Sequence, residues 1–238
     1  MSGMRRGVGV LALALLAALA AGPARAGCEA EPRPKVDWSG CDKYKTRLGG
    51  MSFAGANLAK AILARSDLRQ SDFSGADLAG ADLNRAALDK ARLDGARLEL
   101  ADLGRASLPG ASLRKAQAAG ADFGLADLAA ADLAGADLSK AEMGRAVLRQ
   151  ASLAGAILVG TNLSRADLAG ANLSGASLVK AQLPRAVLTR ANLAGADLAQ
   201  ADLYRTDLTG ANLAGARLDD ARLCRTVMPD GTINNRNC

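Results

Sequence analysis

The chain has 238 residues, with 30 Lys and Arg against 24 Asp and Glu, no His, and aromatic side chains at only 3% of positions. The missing His takes away the commonest general base and metal ligand, and the shortage of aromatics takes away the stacking platforms that hold single-stranded nucleic acid. The formal charge of +6 overstates the basic character, because Arg5, Arg6 and Arg25 lie in an N-terminal segment without acidic residues.

That segment, residues 1–26, reads as a secretory signal peptide. Two Arg precede the apolar run VGVLALALLAALAA, and Ala24-Arg25-Ala26 fits the small-residue cleavage rule. A run of this length is short for a membrane-spanning helix. Removing it leaves 27 basic residues against 24 acidic ones, a mild excess of about +3. The expected location is therefore the periplasm or the cell exterior. Ala26-Gly27-Cys28 also resembles the end of a lipobox, but Arg25 stands where that motif wants an apolar residue, and lipidation would leave three Cys unpaired.

Residues 27–45 carry Cys28 and Cys41 and are expected to form an N-terminal cap. Cys224 and Cys238 lie at the other end, with 229–238 as the C-terminal cap. An even count in an exported chain reads as disulfides, and four Cys allow three connectivities.

Between the caps, 46–228 is a repeat. From Phe53 to Met228 in steps of five, 30 of 36 positions are Leu, and the others are Phe53, Phe73, Ala118, Phe123, Met143 and Met228. Two residues before each of these beats the chain is Ala 30 times, giving the unit A-(D/N/S)-L-x-x. A period of five suits neither an amphipathic helix nor an alternating strand. It suits a chain that buries one large and one small side chain per unit and then turns a corner. Pro109 and Pro184 both follow a Leu, in the first central turn position.

This pattern resembles the pentapeptide-repeat proteins. The resemblance covers residues 46–228 and implies an all-β fold, a right-handed quadrilateral β-helix. Four units per coil require a second period of 20, and the residues show it. From Gly55, every twentieth residue is Gly as far as Gly215 except Lys115; from Arg65, every twentieth is Arg as far as Arg225 except Leu125. About nine coils of 20 residues make a rod roughly 43 Å long. Since bonded Cys need Cα atoms within about 7 Å, the pairs expected are Cys28–Cys41 and Cys224–Cys238, one at each end.

Ala118 breaks the Leu beat, but Phe123 follows on the next beat and Met143 one coil later, so the three read as a repacked patch of core. Outside the same coil, Leu125 interrupts the Arg column, Lys115 the Gly column, and Leu100 stands at another corner.

No constellation of residues suggests catalysis, a metal or a cofactor. The leading expectation is a non-enzymatic scaffold that binds an unidentified protein, or a second copy of itself, through Leu100, Leu125, Val159 and Val179, with Ile157 beside the two valines. Val147, Val187 and Val227 form a further aliphatic series. The second reading is a binder of anionic lipid or polysaccharide through Arg145, Arg165, Arg185 and Arg205. Against it, acids three residues earlier (Asp82 before Arg85, Asp102 before Arg105, Glu142 before Arg145, Asp202 before Arg205) are expected to compensate the column. Some relatives with this fold mimic DNA and protect topoisomerases. That role rests on a strongly acidic surface, which this chain lacks.

Overall fold

A computed structural model describes residues 27–238. The leader expected at 1–26 lies outside the described residues.

The twenty-residue period is the architecture. The residue before each beat forms a parallel bridge with the residue 20 later, in an unbroken series from Asp37↔Asn57 to Asp207↔Val227. Each coil thus has four sides, and each side is held to the next coil by a short set of backbone hydrogen bonds. Around Leu78, for example, Asp77 N donates to Ala56 O at 2.8 Å, Leu78 N to Arg97 O at 2.7 Å, and Gly80 N to Glu99 O at 2.9 Å. These bonds occupy the backbone polar groups along the faces, as burial requires.

The corner follows from the same five residues. Ala81 N donates back to Leu78 O at 3.0 Å, and Gly80 has φ of 63°. This is a four-residue turn whose third residue is left-handed, a geometry that favours Gly there and tolerates Pro before it. Pro109 and Pro184 take that preceding slot. Many corners nevertheless carry Arg, Lys or Gln at φ near 60°.

The interior is filled by the beat residues and the Ala two positions earlier, nearly all fully buried. Ala118, Phe123 and Met143 are all completely buried in this one core, so the break in the Leu beat leaves no opening to the surface. Where the Ala slot holds a hydroxyl, that hydroxyl donates to the beat carbonyl one coil below. Thr161, Thr206 and Thr226 bond Leu138, Leu183 and Leu203 at 2.7, 2.7 and 2.6 Å. Thr206→Ala removes one such bond at a site where Ala is the usual residue, so a loss of about 0.5–1.5 kcal/mol in urea unfolding is expected.

The coil ladder reaches back into 27–45, the stretch expected to be a separate cap. Asp37 and Asp42 already bridge to Asn57 and Ile62. Trp38 takes the place of Leu and packs 5.3 Å from Phe53, which stacks at 5.0 Å on Phe73. On the next beat stands Lys43, whose Nζ lies 4.0 Å from the centre of the Trp38 ring and donates to Cys28 O at 2.6 Å. A charged side chain thus closes the end of the apolar interior. Only the stretch before Lys35 stands outside the ladder, with Trp38 Nε1 donating to Ala30 O.

At the other end, β1 (Thr226–Val227) pairs antiparallel with β2 (Ile233–Asn234). The returning tail covers Leu223 and leaves Leu213 and Leu218 only partly buried. The disulfides are Cys28–Cys41 and Cys224–Cys238, with Cα separations of 5.5 and 4.7 Å. Each ties chain end to coil.

Candidate functional site

The Arg column and the acids expected to neutralise it do not meet. The acids turn to the backbone instead: Asp82 Oδ1 accepts Asn84 N at 3.0 Å, Asp102 Oδ1 accepts Gly104 N at 2.8 Å, and Asp202 Oδ1 accepts Tyr204 N at 2.9 Å. A short carboxylate before a turn satisfies the amide two residues on. The Arg one residue later sits at the left-handed corner and projects outward. Glu142 bonds Asn162 Nδ2 at 2.7 Å rather than Arg145.

The ion pairs of the described residues involve other arginines. Arg97 meets Asp77 at 3.0 Å, Arg149 meets Asp167 at 2.5 Å, and Arg217 meets Asp197 at 3.2 Å. Arg69 lies on Asp67 through two bonds, of 2.8 and 2.6 Å. That contact lowers the Asp67 carboxyl to about 2. Among the described residues, Arg105, Arg145, Arg165 and Arg185 make no side-chain hydrogen bond or ion pair. Arg205 lies over the Tyr204 ring, 5.2 Å from its centre.

Beside these arginines runs an open trough of about 460 Å³, with Gly104, Gly124 and Gly144 in its floor. None of the three has a positive φ, so the turn does not require them. A Cβ on Gly104 would stand 2.9 Å from Asn84 Nδ2, and one on Gly124 2.9 Å from Asp122 Oδ1, in each case the end of a side chain. At Gly144 the nearest atom would be Ser164 O at 3.9 Å, and neither backbone nor neighbours exclude a side chain. The lining carries the charges of Arg105, Arg145 and Arg165 against the single carboxylate of Asp122, with Leu125 among the arginines.

Two separate expectations therefore share one place: Leu125 and the Arg145–Arg165 pair line the same trough. Leu100 stands at the opposite corner of the same face, 75% exposed, leaning over the open side of Gly120. The trough itself was not visible in the repeat pattern. Its one signal was the run of Gly at 104, 124 and 144, in the slot after the beat that Ala commonly fills.

The aliphatic faces are less continuous than expected. Val147, Val187 and Val227 alternate with Asp127, Asp167 and Asp207 along one column of bridges, so a carboxylate separates each from the next. Ile157 is exposed, while Val159 and Val179 are half-buried on the next face round from the trough. Among the described residues, no group of three His, Cys, Asp or Glu is placed to hold a metal ion, and no helix is long and apolar enough to cross a membrane.

Comparison with known proteins agrees with this geometry. The sequence model described as pentapeptide repeats matches residues 52–89, 86–124, 126–165, 166–203 and 186–224. No curated protein matches the chain. Among solved structures, it is similar to QnrB1, a plasmid-mediated fluoroquinolone resistance protein, in a trypsin-treated variant. The match has 25% identity and a TM-score of 0.58, covering 77% of this chain and 90% of that one. It is also similar to HetL, a pentapeptide repeat protein involved in heterocyst differentiation regulation from the cyanobacterium Nostoc sp. strain PCC 7120, with 32% identity, 88% and 96% coverage and a TM-score of 0.47. A repeat matched over most of its length, and folded as a right-handed quadrilateral β-helix, shows that the chain belongs to the pentapeptide repeat family.

Proposed function

We propose that the protein is an exported, non-enzymatic rod that recruits a partner protein through a side face. The observation that carries this reading is one rigid face with Leu100 and Leu125 exposed on its opposite edges and an open trough beside Leu125. Exposed apolar side chains on a fixed backbone lose little entropy on docking. Export rests on the leader at 1–26 and on Cys pairs that need an oxidising compartment. The absence of His and the oxidation of all four Cys support a role without catalysis. The likeness to QnrB1 supports the scaffold and not its role, because the trough's excess charge is positive.

A second reading, binding of anionic lipid or polysaccharide, is favoured by the unpaired guanidinium groups of Arg145, Arg165 and Arg185. Photocrosslinking in the native host, with probes at Leu125, Val159 and Arg165, separates the two. The expected result is one defined protein captured at Leu125 or Val159. Capture of lipid or polysaccharide alone at Arg165 decides for the second reading. A second copy of this chain captured at Leu125 identifies the partner as itself.

A further inference from the structure

We propose that the trough is a binding site for an extended acidic segment of a partner protein, in which an aliphatic residue rests against Leu125 and carboxylates two to three positions away are held by Arg145 and Arg165. This rests on the partner-protein reading above and names the site and the chemistry of what occupies it.

The face has only side chains left to offer a partner. Its backbone amides and carbonyls are spent on the coil ladder, so a partner cannot add as another strand and must be recognised by side chains. The charged side chains still without partners there are the guanidinium groups of Arg105, Arg145 and Arg165, which bind carboxylates through two parallel hydrogen bonds. The only carboxylate in the lining, that of Asp122, already accepts the Gly124 amide.

Spacing then sets the register. Successive coils are about 4.8 Å apart, so Arg145 and Arg165 lie about 5 and 10 Å along the rod from Leu125. An extended chain advances about 3.3 Å per residue. A residue seated at Leu125 therefore brings the side chain two or three positions further on between the two arginines. The bare floor at Gly144 lets the segment lie close there.

Leu125 also decides among anionic ligands. It breaks an otherwise cationic column, and Leu100 faces it across the trough's own face. A sulphated or uronic polysaccharide projects no aliphatic side chain to match it. An anionic bilayer would have to meet the whole flat face, including the carboxylates of Asp82, Asp102 and Glu142. A peptide can present aliphatic and acidic side chains at the required spacing.

The test uses the purified mature protein and a fluorescein-labelled ten-residue peptide of repeating Leu-Ser-Glu-Ser, which sets Leu and Glu two positions apart on one face of an extended chain, followed by anisotropy at low and moderate salt. The expected result is saturable binding that weakens with salt and falls about tenfold or more in Arg145→Gly/Arg165→Gly. Leu125→Ser is expected to weaken it by about fivefold or more, while Arg114→Glu, on another face and paired with Asp132, leaves it unchanged. Circular dichroism and melting confirm that each variant remains folded; glycine at these corners adopts the same φ without strain. Peptide binding that ignores the double Arg variant overturns the proposal, and so does an absence of saturable binding. Binding of heparin or phosphatidylglycerol vesicles that needs Arg145 and Arg165 but is indifferent to Leu125→Ser also overturns it, in favour of a polyanion surface. Failure here leaves the partner-protein reading standing or falling on crosslinks from Val159, which lies outside the trough.

Discussion

Phe123→Ala is expected to lower the unfolding free energy by about 3–5 kcal/mol, and adding Ala118→Leu to the same chain to restore part of that loss. Both residues are completely buried in one continuous core. Alone, Ala118→Leu should destabilise by about 1–3 kcal/mol, because the space a Leu would fill is already taken and interiors are close-packed. Within the double variant the large and small residues exchange places, total volume is nearly conserved, and the penalties should cancel in part. Urea unfolding of the four chains measures the coupling directly. Because a solenoid can open coil by coil, amide exchange between Leu98 and Leu148 should report the same order of stabilities locally. Strict additivity of the two substitutions would show that Ala118 and Phe123 do not share space, and the break in the Leu beat would need another explanation.

The interior was the legible part of this protein. One Leu and one Ala per five residues fix which atoms are inside, and the Gly and Arg columns fix four sides per coil, since a corner position recurs only when the chain completes a turn. Pairing of the Cys followed from length alone. The N-terminal start of the ladder was hidden, because Trp38 and Lys43 replace Leu on the first beats, and a charged residue on a core position masks the pattern. The surface was less legible for a different reason. Sequence spacing put Asp102 within reach of Arg105, but the side chain of Asp102 is drawn to the Gly104 amide and Arg105 points out from a left-handed corner. Reach along the chain says nothing of direction at a corner. The alternation of Val147, Asp167 and Val187 is legible in the sequence as every twentieth residue at the position before the beat.

Arg145→Gly, Arg165→Gly and Arg185→Gly together are expected to stabilise the rod, by about 2 kcal/mol in total, while removing the trough's hold on anions. The three residues have φ of 60, 59 and 61°. A non-glycine residue in that region carries a steric penalty of about 1–2 kcal/mol, of which the greater freedom of Gly in the unfolded chain takes back about half. The corner column from Gly55 to Gly215 shows the arrangement that backbone energetics alone would favour, with Gly at every coil but one. At the Arg column the chain accepts the strain, and in the structure these three guanidinium groups gain no hydrogen bond or ion pair in return. Lys, Gln and other Arg share this φ at other corners, so it is the unpaired charge of these three, and not the strain, that points to binding. A rise in melting temperature together with loss of peptide binding is therefore the expected signature. A fall in melting temperature would mean that the arginine stems stabilise the face by packing along it. The column would then be structural, and its unpaired charge would no longer mark a binding site.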